Sequence, residues 1–327
     1  MKLLLSEFAL RTWGERIKAK GGLSFVTAEQ ALAEGICDAD IGFMTREVTG
    51  RSSKNNPTPE LVGFDKVVRA TPTLKWLQIH PAGAERPIYR ELRARGVKVT
   101  TASGATAVTV SHSVLGGLIA INRRFPLLAD AQRRHAWEPR LGERSPRDLK
   151  GQCAVIVGMG PIGRNIARLL KALDMRTVGV RRSAEAVPDC DRVIAYADLM
   201  TVLPEADWLI LCCPASPLTR GIANAGVFAA MPRGAQFINV SRGEIAVEKD
   251  VIAALQSGQL AGAYLDVFER EPLDPASPLW DMPNVLISPH TASHSLGQNE
   301  AIFEIFLENL SRFRAGQKLR NDVDDLG

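Results

Sequence analysis

Cysteine is scarce in this chain, with 5 among 327 residues, at Cys37, Cys153, Cys190, Cys212 and Cys213. The number is odd, two of them are adjacent, and Cys153 sits in an apolar strand-like run. No disulfide framework is readable, and a reducing cytoplasm is the expected compartment. Aromatic residues make up only 6% and form no stripe interleaved with cations, so nucleic acid is not an expected partner. No apolar run approaches the roughly 20 residues of a membrane span. The start, "MKLLLSEFALRTWGE", meets Glu7 before any small-residue cleavage site and reads as a buried strand entering a helix, not a signal peptide.

A large excess of charge of one sign is also lacking. The 40 Lys and Arg against 36 Asp and Glu leave a net +4, a mild excess that suits an anionic small molecule. No G-x-S-x-G elbow is present, which excludes one common hydrolase design. His290 and His294 in "HTASH" have the i, i+4 spacing of a metal pair, but Thr291 stands where H-E-x-x-H has glutamate. No third ligand declares itself, and no metal is expected.

What remains is the composition of a globular protein, 46% hydrophobic and 23% charged, long enough for two domains. In the first hundred residues "KLLLS", "LSFVT", "ADIGFMT", "KWLQIH" and "VKVTTA" read as strands, and "TAEQALAEG" and "RPIYRELRARG" as helices between them. Residues 105–124 read as a long apolar helix, and "HAWEPRLGERSPRDLKGQ" as an exposed connection. The alternation then restarts with "CAVIVG", "RTVGV", "RVIAYA", "DWLILCC", "AQFINV", "GAYLDV" and "NVLISPH". Such alternation predicts an α/β protein of two doubly wound parallel-sheet domains. The last 35 or so residues, with the amphipathic "GQNEAIFEIFLENLSRFRAG", are too few for a third domain and are expected to fold back onto the first. The expected division is 1–100 with 291–327, and 101–290, and a cleft between two such domains is a usual place for a ligand.

In "CAVIVGMGPIGRNIARLL", Gly158, Gly160 and Gly163 form G-x-G-x-x-G between a β-branched strand and a helix, with Pro161 and Ile162 opening that helix. The first glycine permits the tight turn, the second lets a pyrophosphate approach, and the third lets helix and strand pack closely. An NAD site usually carries an acid about 20 residues on, to hold the ribose 2′-hydroxyl. Here that position is Arg181, followed by Arg182 and Ser183. Guanidinium groups bind a 2′-phosphate that a carboxylate would repel, so NADP is expected in preference to NAD.

Three more stretches place chemistry at predicted strand ends: Arg242 in "FINVSRGE", Asp266 with Glu269 and Glu271 in "AYLDVFEREPL", and His290 in "NVLISPHTASHS". Singly, each has an ordinary structural reading. Together they meet the needs of hydride transfer to a carbonyl: a cation for the substrate, a proton donor with pKa near 7, and a carboxylate to hold its imidazolium.

With these motifs in this order, the chain resembles the D-isomer-specific 2-hydroxyacid dehydrogenases, over nearly its whole length. The resemblance extends through "CCPASPLTRGIANAGVFAAMPRGAQFINVSRGE" to the tail "ENLSRFRAGQKLRNDVD". It implies a Rossmann cofactor domain inserted into a discontinuous, flavodoxin-like substrate domain, and a homodimer. It implies Arg242 as the substrate-binding arginine, His290 as the catalytic histidine with Glu271 as its partner, and Asp266 at the nicotinamide carboxamide. Ala82 and Gly83 in "HPAGAERP" match the loop whose N–H groups hold the substrate carboxylate. Cys213, Pro214, Thr219 and Val240 are expected along the cofactor. Three positions depart from the pattern or stand open: Glu85 replaces an aspartate, His112 replaces a glutamate, and Trp137 lies where relatives can carry an aromatic toward a neighbouring subunit. The resemblance points to small 2-oxoacids such as glyoxylate and hydroxypyruvate. The alternatives are a D-3-phosphoglycerate-type dehydrogenase and a dinucleotide-sensing, corepressor-like binding protein.

Overall fold

The computed structural model describes residues 1–36, 38–50, 57–84, 86–139, 142 and 145–325. Cys37, Glu85 and part of the connection after Trp137 lie outside the described residues; the other four cysteines are free thiols. The chain divides into two compact units, residues 1–105 with 295–327, and residues 106–294.

The first unit runs β1 (Lys2–Leu5), α1 (Glu7–Lys18), β2 (Ser24–Thr27), α2 (Ala28–Glu34), β3 (Ile41–Met44), α3 (Arg46–Thr49), α4 (Pro59–Ala70), β4 (Trp76–Ile79), α5 (Pro87–Ala94) and β5 (Lys98–Thr100). Its sheet is parallel throughout, in the order β2-β1-β3-β4-β5. The inner strands β1, β3 and β4 are buried on both faces, as a sheet covered by helices requires. Leu3 and Leu5 point into one core layer and Leu4 into the other, and all three are fully buried. Each such side chain contributes roughly 1.5–3 kcal/mol. Helix α1 starts where the Ser6 side chain accepts the Ala9 N–H, and it buries Ala9, Trp13 and Ile17 at four-residue spacing.

The C-terminal helix, Gln298–Arg314, completes this unit. Phe306 stacks on Phe43 at 4.2 Å and on Trp76 at 5.5 Å, while Phe303 stacks on Trp13 at 4.9 Å. Buried Asn309 donates to Gln78 Oε1, which also accepts from Thr100. This polar link ties the helix to the sheet with its partners satisfied.

The second unit contains α6 (Ala107–Asn122), α7 (Phe125–Arg133), β6 (Cys153–Val157), α8 (Pro161–Lys171), β7 (Arg176–Arg181), β8 (Arg192–Ala195) and α9 (Leu199–Val202). It continues with β9 (Trp208–Leu211), α10 (Ala225–Ala230), β10 (Ala235–Asn239), α11 (Glu248–Gln256), β11 (Leu260–Leu265) and β12 (Val285–Ile287). The order β12-β11-β10-β9-β6-β7-β8 is again all parallel. The strand order reverses at β6, between β9 and β7, which is where open α/β sheets bind ligands. Helix α6 packs through Val110, Val114, Leu118 and Ile121 on the same core layer as Ile166 and Leu170 of α8. Gly117 makes this possible: a Cβ there would lie 2.3 Å from the Tyr264 ring. Two α/β domains with parallel sheets are therefore what the strand–helix alternation predicts.

Candidate active site

The glycine turn joins β6 to α8, and its three glycines do different work. Gly158 has φ +109°, and a Cβ there would lie 2.7 Å from the Cys213 backbone. At Gly163 a Cβ would come within 1.9 Å of the Gly158 carbonyl oxygen, so only glycine lets helix and turn meet. Around Gly160, by contrast, a Cβ would meet nothing within 4 Å. Tight turn, close packing and an open approach at the N-cap of α8 are what a dinucleotide pyrophosphate needs, and the turn fits such a cofactor. Pro161 occupies the first position of α8, and Ile162 behind it is partly buried against the core.

At the end of β7, beside β6, Arg181 is paired with Glu185 at 3.7 Å, with Arg182 and Ser183 following. Cys212 donates its thiol to the Gly158 carbonyl at 3.1 Å and so props the turn from below. The buried Cys213 thiol is pushed up to about 12 by burial, so it packs and does not act as a nucleophile. Pro214 is exposed, whereas Thr219 is buried. The Thr219 hydroxyl donates to the Pro214 carbonyl at 2.7 Å and accepts the Ser216 N–H at 2.8 Å. These two bonds close the 214–219 loop on itself. Val240, at the end of β10, is buried against the core.

The polar residues after β10, β11 and β12 form one connected set. Asn239 accepts from the Ser241 N–H and hydroxyl and donates to the Arg242 carbonyl, which fixes the backbone at Arg242. One Arg242 guanidinium nitrogen donates to the Ser241 carbonyl at 2.8 Å. Gly243 lies against the Phe268–Glu269 peptide, where a Cβ would fall 1.9 Å from the Phe268 carbonyl carbon. Asp266, 2% exposed, accepts three donors on Oδ1: the Ser288 hydroxyl at 2.5 Å, and the N–H groups of Thr291 at 2.8 Å and Ala292 at 3.0 Å. Tyr264 extends this chain through a 2.9 Å contact with Ser288.

Those bonds hold the segment carrying His290. Its backbone is left-handed, φ +55°, with the N–H donating to the Asp266 and Ser288 carbonyls. A non-glycine residue persists there because its surroundings over-determine it, a pattern concentrated at functional sites. His290 Nδ1 lies 2.7 Å from Glu271 Oε2, and Glu271 Oε1 accepts the Phe268 N–H at 3.2 Å. Their side chains keep 47% and 34% of their exposure. The hydrogen bond from Glu271 lifts His290 above the ordinary imidazole value, against partial desolvation and the Arg242 charge, with the charges of Glu271 and Asp266 helping. For Glu271, partial burial pushes upward, but the bond and charge of His290, the Phe268 N–H and Arg242 leave it below the usual carboxylate value. The imidazolium is stabilised on its Nδ1 side, and no described residue bonds Nε2. Such a ring can give and take a proton there near neutral pH.

Other expected residues lie on other segments of the chain. Ala82 and Gly83 belong to the first unit, in the bend after β4, with Ala82 exposed and Gly83 half-buried. His80, just before them, is pushed down to about 4 by loss of solvent, with the Arg46 charge adding to it. His112 is exposed on α6, and Trp137 is 96% exposed. His290 lies in a bend and His294 in irregular backbone, so their four-residue spacing does not stack them on a helix. Among the described residues there is no group of three or more His, Cys, Asp or Glu side chains able to hold a metal, and no helix long and apolar enough to cross a membrane. Sequence reading passed over Asn239, Ser241 and Ser288. Their signal is a small polar residue at or just beyond the end of a mostly apolar strand, which must find partners when buried.

Known proteins resemble this chain in sequence and in fold. Residues 115–292 match the family model described as D-isomer specific 2-hydroxyacid dehydrogenase, NAD binding domain. Glyoxylate/hydroxypyruvate reductase B of Escherichia fergusonii is 33% identical over 264 residues, covering 80% of this chain and 81% of its own. A D-isomer specific 2-hydroxyacid dehydrogenase family protein of Aeromonas salmonicida superposes with a TM-score of 0.78 at 30% identity, over 98% of each chain. An NADPH-dependent glyoxylate/hydroxypyruvate reductase of Sinorhizobium meliloti, solved with NADP and sulfate, gives 0.77 at 28% identity over 99% of this chain and 98% of its own. The chain belongs to the D-isomer specific 2-hydroxyacid dehydrogenase family, and is an oxidoreductase that uses a nicotinamide dinucleotide on the 2-oxoacid/2-hydroxyacid pair.

Proposed function

We propose that this enzyme reduces a small 2-oxoacid of the glyoxylate or hydroxypyruvate type to the D-2-hydroxyacid, with NADPH preferred over NADH. The observation that carries the reading is the 2.7 Å Glu271–His290 pair, built into the same unit as the dinucleotide turn. When bound, the reduced nicotinamide supplies the hydride to the carbonyl carbon. Arg242 offers its guanidinium to the substrate carboxylate and carbonyl oxygen, and the Ala82 and Gly83 N–H groups are the proposed further donors to the carboxylate. His290 gives the proton on Nε2 to the carbonyl oxygen as that oxygen becomes a hydroxyl. Glu271 holds the ring in orientation and keeps it protonated until that transfer. In the oxidative direction the same nitrogen accepts the proton.

The NADP preference rests on Arg181, Arg182 and Ser183 standing at a β7 end that carries no acid. The NADPH-dependent relative from Sinorhizobium meliloti supports it. Pro161, Ile162, Pro214, Val240 and the Cys213 backbone are the proposed walls of the cofactor site. Asp266 has only Oδ2 left for a carboxamide. A homodimer in the cytoplasm completes the proposal, from the family resemblance and the free cysteines. NADPH oxidation followed with a panel of 2-oxoacids tests it. Turnover of glyoxylate and hydroxypyruvate to D-configured or achiral products is expected, and a panel with no substrate would overturn the reading.

A further inference from the structure

Helix α11 begins without a cap of its own. Its N-cap residue is Val247, whose side chain cannot accept a hydrogen bond. The first N–H groups of a helix need partners from elsewhere. Here the Glu248 N–H is taken by Glu269 Oε1 at 2.9 Å, from a segment 21 residues away in sequence. The exchange is reciprocal, because Glu248 Oε2 accepts the Glu269 N–H at 3.1 Å. Within one helix this would be a capping box; here it spans two segments.

The segment so held is the one that carries Glu271. Its Phe268 carbonyl packs against Gly243, next to Arg242, and its Phe268 N–H donates to Glu271 Oε1. From Glu269 to His290 the path is therefore two residues of chain and one 2.7 Å hydrogen bond. Two carboxylates are an odd choice for a simple staple, since their charges repel. Burial raises the Glu248 carboxyl above its usual value, the Glu269 N–H works against that, and the Glu269 charge adds to it. What the pair supplies is a two-point clamp between this segment and the start of α11.

We propose that Glu248 and Glu269 are positioning residues: their crossed side-chain-to-backbone bonds set the Phe268–Glu271 segment on the start of α11, and so set the Glu271–His290 geometry. The catalytic part of this inference rests on the function proposed above; the effect on His290 does not. The groups that face His290 and contribute to its titration are Glu271, Arg242 and Asp266, and Glu269 faces Glu248.

The experiment compares Glu248→Ala and Glu269→Ala with Glu248→Gln and Glu269→Gln in the full chain. Glutamine keeps an acceptor oxygen at the same reach and loses only the charge. Three quantities are read: the His290 titration midpoint by heteronuclear NMR without substrate, kcat and KM for the 2-oxoacid, and the melting temperature. The alanine variants are expected to lower kcat by about ten- to a hundredfold, as a misplaced catalytic group does, with a smaller change in KM. Their His290 midpoint should move down toward that of an unpaired imidazole. The glutamine variants should restore both. If an alanine variant does not fold, Glu269→Asp replaces it; it keeps the charge but falls short by one methylene, and it should show the same midpoint shift. A variant that melts earlier but titrates and turns over like the parent would overturn the proposal, leaving only a helix cap. So would glutamine variants as impaired as alanine. Because the midpoint needs no turnover, a shift seen in a chain whose His290→Ala variant stays active would refute the proposed function and leave the clamp standing.

Discussion

Gly243 sits so close to Phe268 that a single added carbon would lie 1.9 Å from the Phe268 carbonyl carbon and oxygen. This contact joins the arginine-bearing end of β10 to the glutamate-bearing segment after β11. Both of its sides are backbone, so neither can move alone. Gly243→Ala is therefore expected to destabilise the chain by about 1–3 kcal/mol or more, as overpacking does. Turnover should fall further than the folded fraction does. Urea unfolding and kcat measured on the same preparation check this, and a neutral substitution would show that the two segments are not coupled.

Ser288 and Asp266 carry the second link. The Ser288 hydroxyl is one of three donors to a carboxylate oxygen on a residue only 2% exposed. Ser288→Ala removes a hydrogen bond to a charged group and should cost about 1.5–3 kcal/mol. Since that bond also anchors the segment carrying His290, kcat should fall more than KM rises. A thermal melt and a substrate titration suffice to see it.

Cofactor choice is the most direct prediction from the sequence. Arg181→Asp should raise KM for NADPH by roughly ten- to a hundredfold, the loss of one or two charge-assisted bonds. KM for NADH should change little or fall. Equal effects on both cofactors would remove the argument from Arg181, Arg182 and Ser183.

The pH dependence of stability follows from the opposite displacements of Glu271 and His290. Glu271 is held below its ordinary 4.5, so its contribution is present above that value and is lost as pH falls through its lower folded value. His290 is held above its ordinary 6.5, so its contribution is full below that value and is lost as pH rises through its higher folded value. The pair thus contributes most between about pH 4.5 and about pH 6.5. Unfolding of the parent and of Glu271→Gln across pH should show the largest gap in that window and a narrowing on either side.

The inner strands were legible in the sequence because both sheets are parallel, and a strand buried on both faces is a short continuous apolar run. "CAVIV" and "WLIL" are buried at every residue. The glycine turn was legible because its three constraints are local, each set by residues within a few positions or by one neighbouring strand. Helix α11 was not, since its start signal is missing from its own sequence: Val247 cannot cap, and the cap arrives from Glu269. Helix α4, by contrast, carries local signals in Thr58, Pro59 and Glu60 and buries Leu61, Phe64 and Val68 at helical spacing. Thr219 was expected along the cofactor from the family resemblance alone; that its hydroxyl donates to the Pro214 carbonyl depends on loop closure, which the sequence does not display. Residue type and order made Arg242, Asp266, Glu269, Glu271 and His290 candidates, and the family resemblance gave Arg242, Glu271 and His290 their expected roles. Spacing alone could not tell that Glu271, 19 residues before His290, meets its ring at 2.7 Å.

The central claim is that His290 moves the proton, and turnover of His290→Ala tests it most directly. Loss of a general acid is expected to lower kcat by about a hundred- to ten-thousandfold, with the melting temperature and NADPH binding close to those of the parent. A folded His290→Ala protein that reduces glyoxylate at near-parental rate would contradict the account.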